Sequence, residues 1–251
     1  MATAQATTSG LLVVIPAYNE ERSIPPLLAE VRAALPGTAV LVVDDGSRDG
    51  TGDAARRGGA RVLRLPCNLG IGGAVQAGYV YACERGFDRV LRLDADGQHP
   101  PAEAARLIEA MNRSGADVVI GSRFAGAASY TSTRLRTIGI RALALFLSAI
   151  CRKRIADPTS GFWLVRQPLL RCFAETYPTD YPEPEALALL RRQGYTYHEV
   201  PAVFRPRRYG RSSIRAWDTF YYVIKVGLAL VVDRIRPIDP RFARHRTEGA
   251  A

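Results

Sequence analysis

LLVVIPAYNEERSIPPLLAEVRAALPGTAVLVVDDG, residues 11–46, decides the fold class. Its opening run, Leu11–Pro16, is continuously apolar and of strand length, the signature of a parallel strand buried on both faces. Ile24, Leu27, Leu28, Val31 and Leu35 then recur at helical spacing over Ser23–Leu35. Pro25 and Pro26 fall in that helix's first turn, where a missing N–H costs nothing. Val40–Val43 is apolar again, so strand, helix and strand follow one another within a short span.

The alternation continues outward. Thr51–Arg57 opens a second helix, Arg61–Leu65 is a third strand, and Gly72–Arg85 a helix rich in small residues. Arg89–Leu93 is a fourth strand, Pro101–Ser114 a helix and Asp117–Gly121 a further apolar strand. Repeated βα units predict an α/β fold with a mostly parallel central sheet flanked by helices. Ligands of such sheets bind at the carboxyl ends of the strands, where the polar motifs of this chain fall. The second half is less regular: a long helix over Arg134–Cys151, a strand over Phe162–Val165, a helix over Pro184–Gln193, a strand over Tyr197–Val203, and helical sequence over Ser213–Val232. Internal repeats and low-complexity linkers are missing, which predicts one domain over residues 10–236. A disordered tail over 1–9, without apolar periodicity, and a short polar tail over 237–251 are expected to flank it.

Composition narrows the class. Of 251 residues, 47% are hydrophobic and 23% charged, enough to bury a core. Cys67, Cys83, Cys151 and Cys172 form no CxxC pair and neighbour no His cluster, which argues against a zinc site or disulfide framework and for reduced thiols in a cytoplasmic protein. A signal peptide is not visible at the N-terminus. The net charge of +10 suits phosphate-bearing ligands or an anionic membrane face. Nucleic acid is not expected as a partner, because no helix-turn-helix, RRM or zinc-finger pattern accompanies the charge.

The fourth strand runs directly into Asp94-Ala95-Asp96-Gly97-Gln98-His99-Pro100. Two carboxylates at i and i+2 converge where Gly97 and Pro100-Pro101 turn the chain. Hard oxygen ligands of this kind suit Mg²⁺ or Mn²⁺, ions that keep waters and share substrate phosphates. Gln98 can add a carbonyl oxygen, and His99 a nitrogen or a hydrogen bond; the same spacing also fits a pair of Asx turns capping the next helix. Asp44-Asp45-Gly46-Ser47 ends the second strand and Pro16-Ala17-Tyr18-Asn19-Glu20 the first, so both loops share an edge with Asp94. Carboxylates there can accept from ribose hydroxyls or base N–H groups, and Tyr18 can pack on a base. Asn68-Leu69-Gly70-Ile71-Gly72-Gly73-Ala74 is a Gly-rich loop opening a helix, with backbone N–H groups open to a ligand near Gly73.

Taken jointly, PAYNE at 16–20, VVDDGSRDGT at 42–51, NLGIGGAVQAGY at 68–79, DADGQHPP at 94–101, GSRF at 121–124, DPTSGF at 157–162 and FRPRRYGRSSI at 204–214 resemble the inverting glycosyltransferases of family two. The resemblance covers about residues 10–235 and points to their dolichol-phosphate (polyprenol-phosphate) mannosyltransferase branch. It implies the GT-A fold, with a nucleotide-sugar part over 10–121 and an acceptor part over 122–236. It also implies that Pro16, Tyr18, Glu20 and Asp45 contact the nucleoside, that Asp94, Asp96 and Gln98 coordinate the metal, and that Asp94 faces the donor as well. One departure stands out: the mannosyltransferases usually end the late run Gly-x-Ser-Lys, whereas this chain reads Gly210-Arg211-Ser212-Ser213.

On the acceptor side, Arg123, Arg134, Arg136, Arg207 and Arg211 are candidates to hold phosphates, since guanidinium binds them bidentately. The family pattern favours Arg123 and Arg207, which join Asp96 as the expected catalytic set. Asp157 and Ser160 of DPTSGF, together with Ser212, complete the expected acceptor loops. Glu183 and Glu185 each offer either a base for a hydroxyl acceptor or a carboxylate in a helix's first turn. Ala142–Cys151 and Phe220–Val232 are apolar, too short to span a bilayer and flanked by cations. They suit peripheral contact with a membrane's cytoplasmic face, a core, or a dimer interface. The expected reaction is hexose transfer from a GDP- or UDP-sugar to a polyprenyl phosphate. A same-fold enzyme with a hydroxyl acceptor is the alternative, and a silent nucleotide-sugar-binding module a third reading.

Overall fold

The structure is a computed structural model that describes residues 10–125, 134–207, 227–228 and 239–243, with the side chains of 134–136 outside that description. Seven strands, β1 (Leu11–Ala17), β2 (Ala39–Asp44), β3 (Arg61–Arg64), β4 (Arg89–Arg92), β5 (Val118–Ser122), β6 (Trp163–Arg166) and β7 (Tyr197–Pro201), form one sheet. Their order is β3-β2-β1-β4-β6-β5-β7. β6 runs antiparallel to both β4 and β5, and every other pair is parallel.

Alternation along β1 divides the core. Leu11, Val13 and Ile15 join one cluster with α1 (Ile24–Ala34), α2 (Thr51–Arg57) and α4 (Ala104–Ser114). Leu12 and Val14 face the other, with α3 (Gly70–Glu84), α5 (Arg134–Cys151), α6 (Leu169–Thr176) and α7 (Pro182–Arg192). Period-two side chains on a sheet covered on both faces require this division.

The expected elements recur, with informative shifts. The helix placed at 72–85 begins at Gly70, whose φ of +79° lets the chain turn from the loop into the helix. A 3-10 turn, Pro101–Glu103, precedes α4. The helix placed at 184–193 starts at Pro182, with prolines again in the first turn. α6 was not anticipated. The helical sequence over 213–232 lies outside the described residues, apart from 227–228. In the C-terminal tail, residues 239–243 dock on the domain: Arg241 pairs with Glu175 at 3.0 Å and Phe242 packs against the core.

The reversed β6 matters for function. Trp163, its first residue, pairs with Arg92 of β4 and Ile120 of β5. The segment before it, residues 157–162, is therefore delivered to the strand edge that carries Asp94.

Candidate active site

The loops after β1 and β2 are stitched together by their own side chains. The Asn19 amide donates to Ser47 Oγ at 3.0 Å, and Asn19 Oδ1 accepts from the Arg48 amide at 2.9 Å. Asn19 adopts φ 54°, a left-handed conformation that Asn tolerates. The Glu20 amide donates to Thr51 Oγ1, and its carboxylate accepts from Ser23. Burial is the main influence on Glu20 and raises its pKa above the ordinary value. Pro16 is buried in β1 beside Val43, so it shapes the loop from beneath, whereas Tyr18 is 43% exposed and presents its ring at the rim.

Asp44 and Asp45 divide the work at the end of β2. Asp44 Oδ1 caps its own turn by accepting from the Ser47 amide at 3.0 Å. Asp45 Oδ1 accepts from the Leu69 amide at 2.7 Å and so ties the loop after β2 to the Gly-rich loop. Burial raises the Asp45 pKa as well. Gly46 has φ +69°, and a Cβ there would lie 2.8 Å from the Cys67 carbonyl carbon. Gly73 is buried in α3, where a Cβ would come 2.6 Å from that of Leu69.

Beyond β4, each acid has defined partners. Asp96 Oδ1 accepts from the Gln98 amide at 2.9 Å, and Asp96 Oδ2 lies 2.9 Å from Arg207. The Gln98 carbonyl accepts from the Arg205 amide at 3.0 Å, which ties the 202–207 segment to the acidic turn. His99 is buried, stacked on Phe162 and edge-on to Phe204, and its Nδ1 accepts from the Asp94 amide at 3.1 Å. Burial lowers its pKa, favouring the neutral ring. Of the two sequence readings of His99, the geometry supplies the hydrogen bond.

Sequence reasoning gave Arg92 no role. It is 1% exposed and donates to Glu183 Oε1 at 2.6 Å, Asp94 Oδ1 at 3.3 Å and Tyr177 Oη at 3.3 Å. Burial alone would raise the Asp94 pKa; the Arg92 guanidinium outweighs it by charge and hydrogen bond, and the net direction is down. Gly161 closes over this carboxylate: a Cβ there would stand 2.8 and 2.9 Å from its two oxygens. The available signal was a charge two residues before Asp94, set between the apolar Leu91 and Leu93.

Arg123 and Asp157 are brought together. Arg123 Nε and Nη2 donate to the two oxygens of Asp157 at 2.7 and 2.6 Å, and its backbone amide donates at 3.0 Å. Nη2 also reaches Thr159, and the guanidinium lies over the Phe204 ring. Ser160 is buried and donates to the Gly121 carbonyl. Glu185 accepts from the Tyr181 amide, which matches the helix-start reading of the two open to it. The Arg136 side chain, Arg211 and Ser212 lie outside the described residues.

Among the described residues, no cluster of three or more His, Cys, Asp or Glu groups is poised as a metal cage. The donor set nevertheless suits a hard divalent cation shared with phosphate. Asp96 already faces a cationic group in Arg207, and the Asp94 side chain is 31% exposed beside it in sequence. Mg²⁺ and Mn²⁺ characteristically take one or two carboxylates and complete their shell from water and phosphate.

The family model for glycosyl transferase family 2 matches residues 12–173. The chain belongs to this family. It is 35% identical over 216 residues to an undecaprenyl-phosphate mannosyltransferase of Micrococcus luteus, covering 84% of this chain and 83% of that one. It is 30% identical over 244 residues to polyprenol monophosphomannose synthase of Mycolicibacterium smegmatis, covering 92% of each. Glucosyl-3-phosphoglycerate synthase of Mycobacterium tuberculosis, solved with Mn²⁺, UDP and phosphoglyceric acid, matches the fold with a TM-score of 0.66 at 23% identity, over 92% of this chain and 80% of that one. This family 2 member has the expected GT-A fold and is a glycosyltransferase.

Proposed function

We propose that this enzyme moves a hexose, with inversion, from a nucleotide-diphosphate sugar to a polyprenyl phosphate. The observation that carries the acceptor is a groove of about 850 Å³ beside α5. Arg123, Arg141, Arg152, Lys153 and Arg154 line it together with Leu145 and Ile155. Asp157 already meets the charge of Arg123, so Arg141, Arg152, Lys153 and Arg154 are the cations that, beside exposed apolar surface, match an anionic head on an apolar chain. Leu145 is 74% exposed, and Ile138 and Phe146 of the same helix also reach solvent. No helix among the described residues is long and apolar enough to cross a membrane. Peripheral contact through α5, with the lipid acceptor entering from the bilayer, accords with this surface. The two curated relatives above bear polyprenyl-phosphate names, which supports the same acceptor class.

Asp94 and Asp96, with Gln98, would hold Mg²⁺ or Mn²⁺, which supplies positive charge to the departing diphosphate. Around that ion, the chain's own residues bind and orient. Tyr18 offers a ring to the base, Asp45 and Glu20 shape the nucleoside loops, and Arg207 lies at Asp96, able to turn toward phosphate oxygens. A phosphate acceptor is anionic at neutral pH and needs no proton removed, so a dedicated base is unnecessary. The position of Glu183 agrees, because its carboxylate is engaged by Arg92.

Labelled GDP- and UDP-hexoses incubated with and without polyprenyl phosphate test the reading. Label moving into the organic phase only with the lipid and a divalent cation supports it. Exclusively water-soluble product favours the hydroxyl-acceptor alternative and overturns it.

A further inference from the structure

Arg92 is a charged side chain that the fold closes off almost completely, among the largest fully buried residues of the domain. Its face of the sheet carries Tyr79, Phe173 and Tyr177, an aromatic cluster where an apolar residue would pack without desolvating a charge. Packing therefore gives no reason for a guanidinium here. Its partners give one: Tyr177 and Glu183, 85 and 91 positions along the chain, and Asp94 two positions along.

The arrangement separates charge from direction. Glu183 at 2.6 Å neutralises the guanidinium, so the negative charge of Asp94 remains available to a cation. Arg92 instead fixes which way the carboxylate points: Oδ1 is drawn to Nη2, and Oδ2 is turned toward His99 Nε2 at 3.7 Å. Gly161 leaves room for that orientation, since a Cβ would collide with both oxygens and approach Arg92 Nη2 to 3.0 Å. The connection from α6 to α7, which carries Tyr177, packs closely on α3, because a Cβ on Gly72 would collide with the carbonyls of Pro178 and Thr179.

We infer that Arg92, clamped by Glu183 and Tyr177, is a positioning residue that orients Asp94 for a divalent cation and links that carboxylate to the α6–α7 segment. Glu183 is then the counter-ion of a positioning group. The inference rests on the proposed reading that Asp94 holds the metal. Outer partners of metal-binding carboxylates typically change metal affinity or activity by about 10–100-fold when removed.

The test is Mn²⁺ binding by the full chain, read from the loss of the free-ion EPR signal in the presence of GDP or UDP. It compares wild type, Asp94→Asn, Arg92→Lys, and the doubly substituted Arg92→Met/Glu183→Met. The double variant removes both charges at once and keeps side-chain bulk, with circular dichroism reporting its fold. The expected result is a folded double variant that binds Mn²⁺ about 10–100-fold more weakly, and an Arg92→Lys variant with a smaller loss. A folded double variant with wild-type Mn²⁺ affinity, beside an Asp94→Asn variant that has lost it, overturns the positioning inference alone. Wild type that binds no Mn²⁺ with either nucleotide overturns the metal reading and the inference together. Should the double variant not fold, Arg92→Lys decides, because it keeps the charge but cannot span all three partners; unchanged Mn²⁺ affinity there overturns the inference.

Discussion

Arg207 sets its guanidinium 2.9 Å from Asp96 Oδ2, joining the segment after β7 to the acidic turn after β4. The pair is shallow, with the Arg207 side chain 30% exposed, so its contribution to stability is at most about 1 kcal/mol. On the proposed function its value lies in catalysis, as a cation preorganised beside the departing diphosphate. Arg207→Ala is expected to keep the wild-type melting temperature within a few degrees and to lower kcat by about 100-fold. Steady-state kinetics with labelled donor, alongside a thermal melt, checks both halves.

Asp157 makes the opposite case. Its carboxylate is fully buried and takes three N–H donors from Arg123 alone. Removing it strands a buried guanidinium, and breaking such a pair costs about 3–5 kcal/mol. Asp157→Ala is therefore expected to shift the urea midpoint strongly downward, whatever its effect on turnover. A variant that unfolds at the wild-type midpoint would deny the pair its structural role.

These two pairs also show what the sequence could and could not carry. The strand–helix–strand of residues 11–44 was legible because local periodicity and the prolines at 25 and 26 specify it without distant contacts. That the loops after β1, β2 and β4 share one edge was legible because strand ends converge in any parallel sheet. The direction of β6 was not legible, since nothing within Trp163–Arg166 says whether its neighbours run with it or against it. α6 spans only eight residues, too few for a helical period to stand out from a short apolar run. Arg92 was hidden by the same logic: a charge in a strand reads as an exposed edge until its counter-ion, 91 positions away, is seen beside it. Arg123 and Asp157 were each named as phosphate or loop residues, but a bond across 34 positions could not be inferred from either.

Gly161 provides a steric test of how tightly the Asp94 carboxylate is held. Adding one methyl group brings carbon to 2.8 and 2.9 Å from its two oxygens, closer than a real Cβ contact allows. The carboxylate has to rotate, because Arg92 behind it is packed in. Gly161→Ala is expected to fold, with kcat lowered about tenfold or more and a higher Mn²⁺ concentration needed for half-maximal rate. A metal titration of activity measures this. Wild-type dependence on Mn²⁺ would mean that the turn yields instead.

Glu199 gives the fold a pH dependence of definite sign. Its two oxygens accept from the Ala156 and Asp157 amides at 2.8 and 2.9 Å, so it holds the backbone that presents Asp157. Burial nevertheless dominates, and raises its pKa above the ordinary carboxyl value of 4.5. The folded state therefore binds the proton more tightly than the unfolded chain does. The stability this contributes is complete below about pH 4.5 and is lost as pH rises through the raised folded pKa. In Glu199→Gln this titration is absent, although one of the two amide bonds is lost. The stability of wild type relative to Glu199→Gln is expected to be greatest at the acid end and to fall to a plateau as pH rises. Urea unfolding of both proteins across that range reads the difference directly. A difference that grows with pH would show that the two amide bonds, not burial, govern this carboxyl.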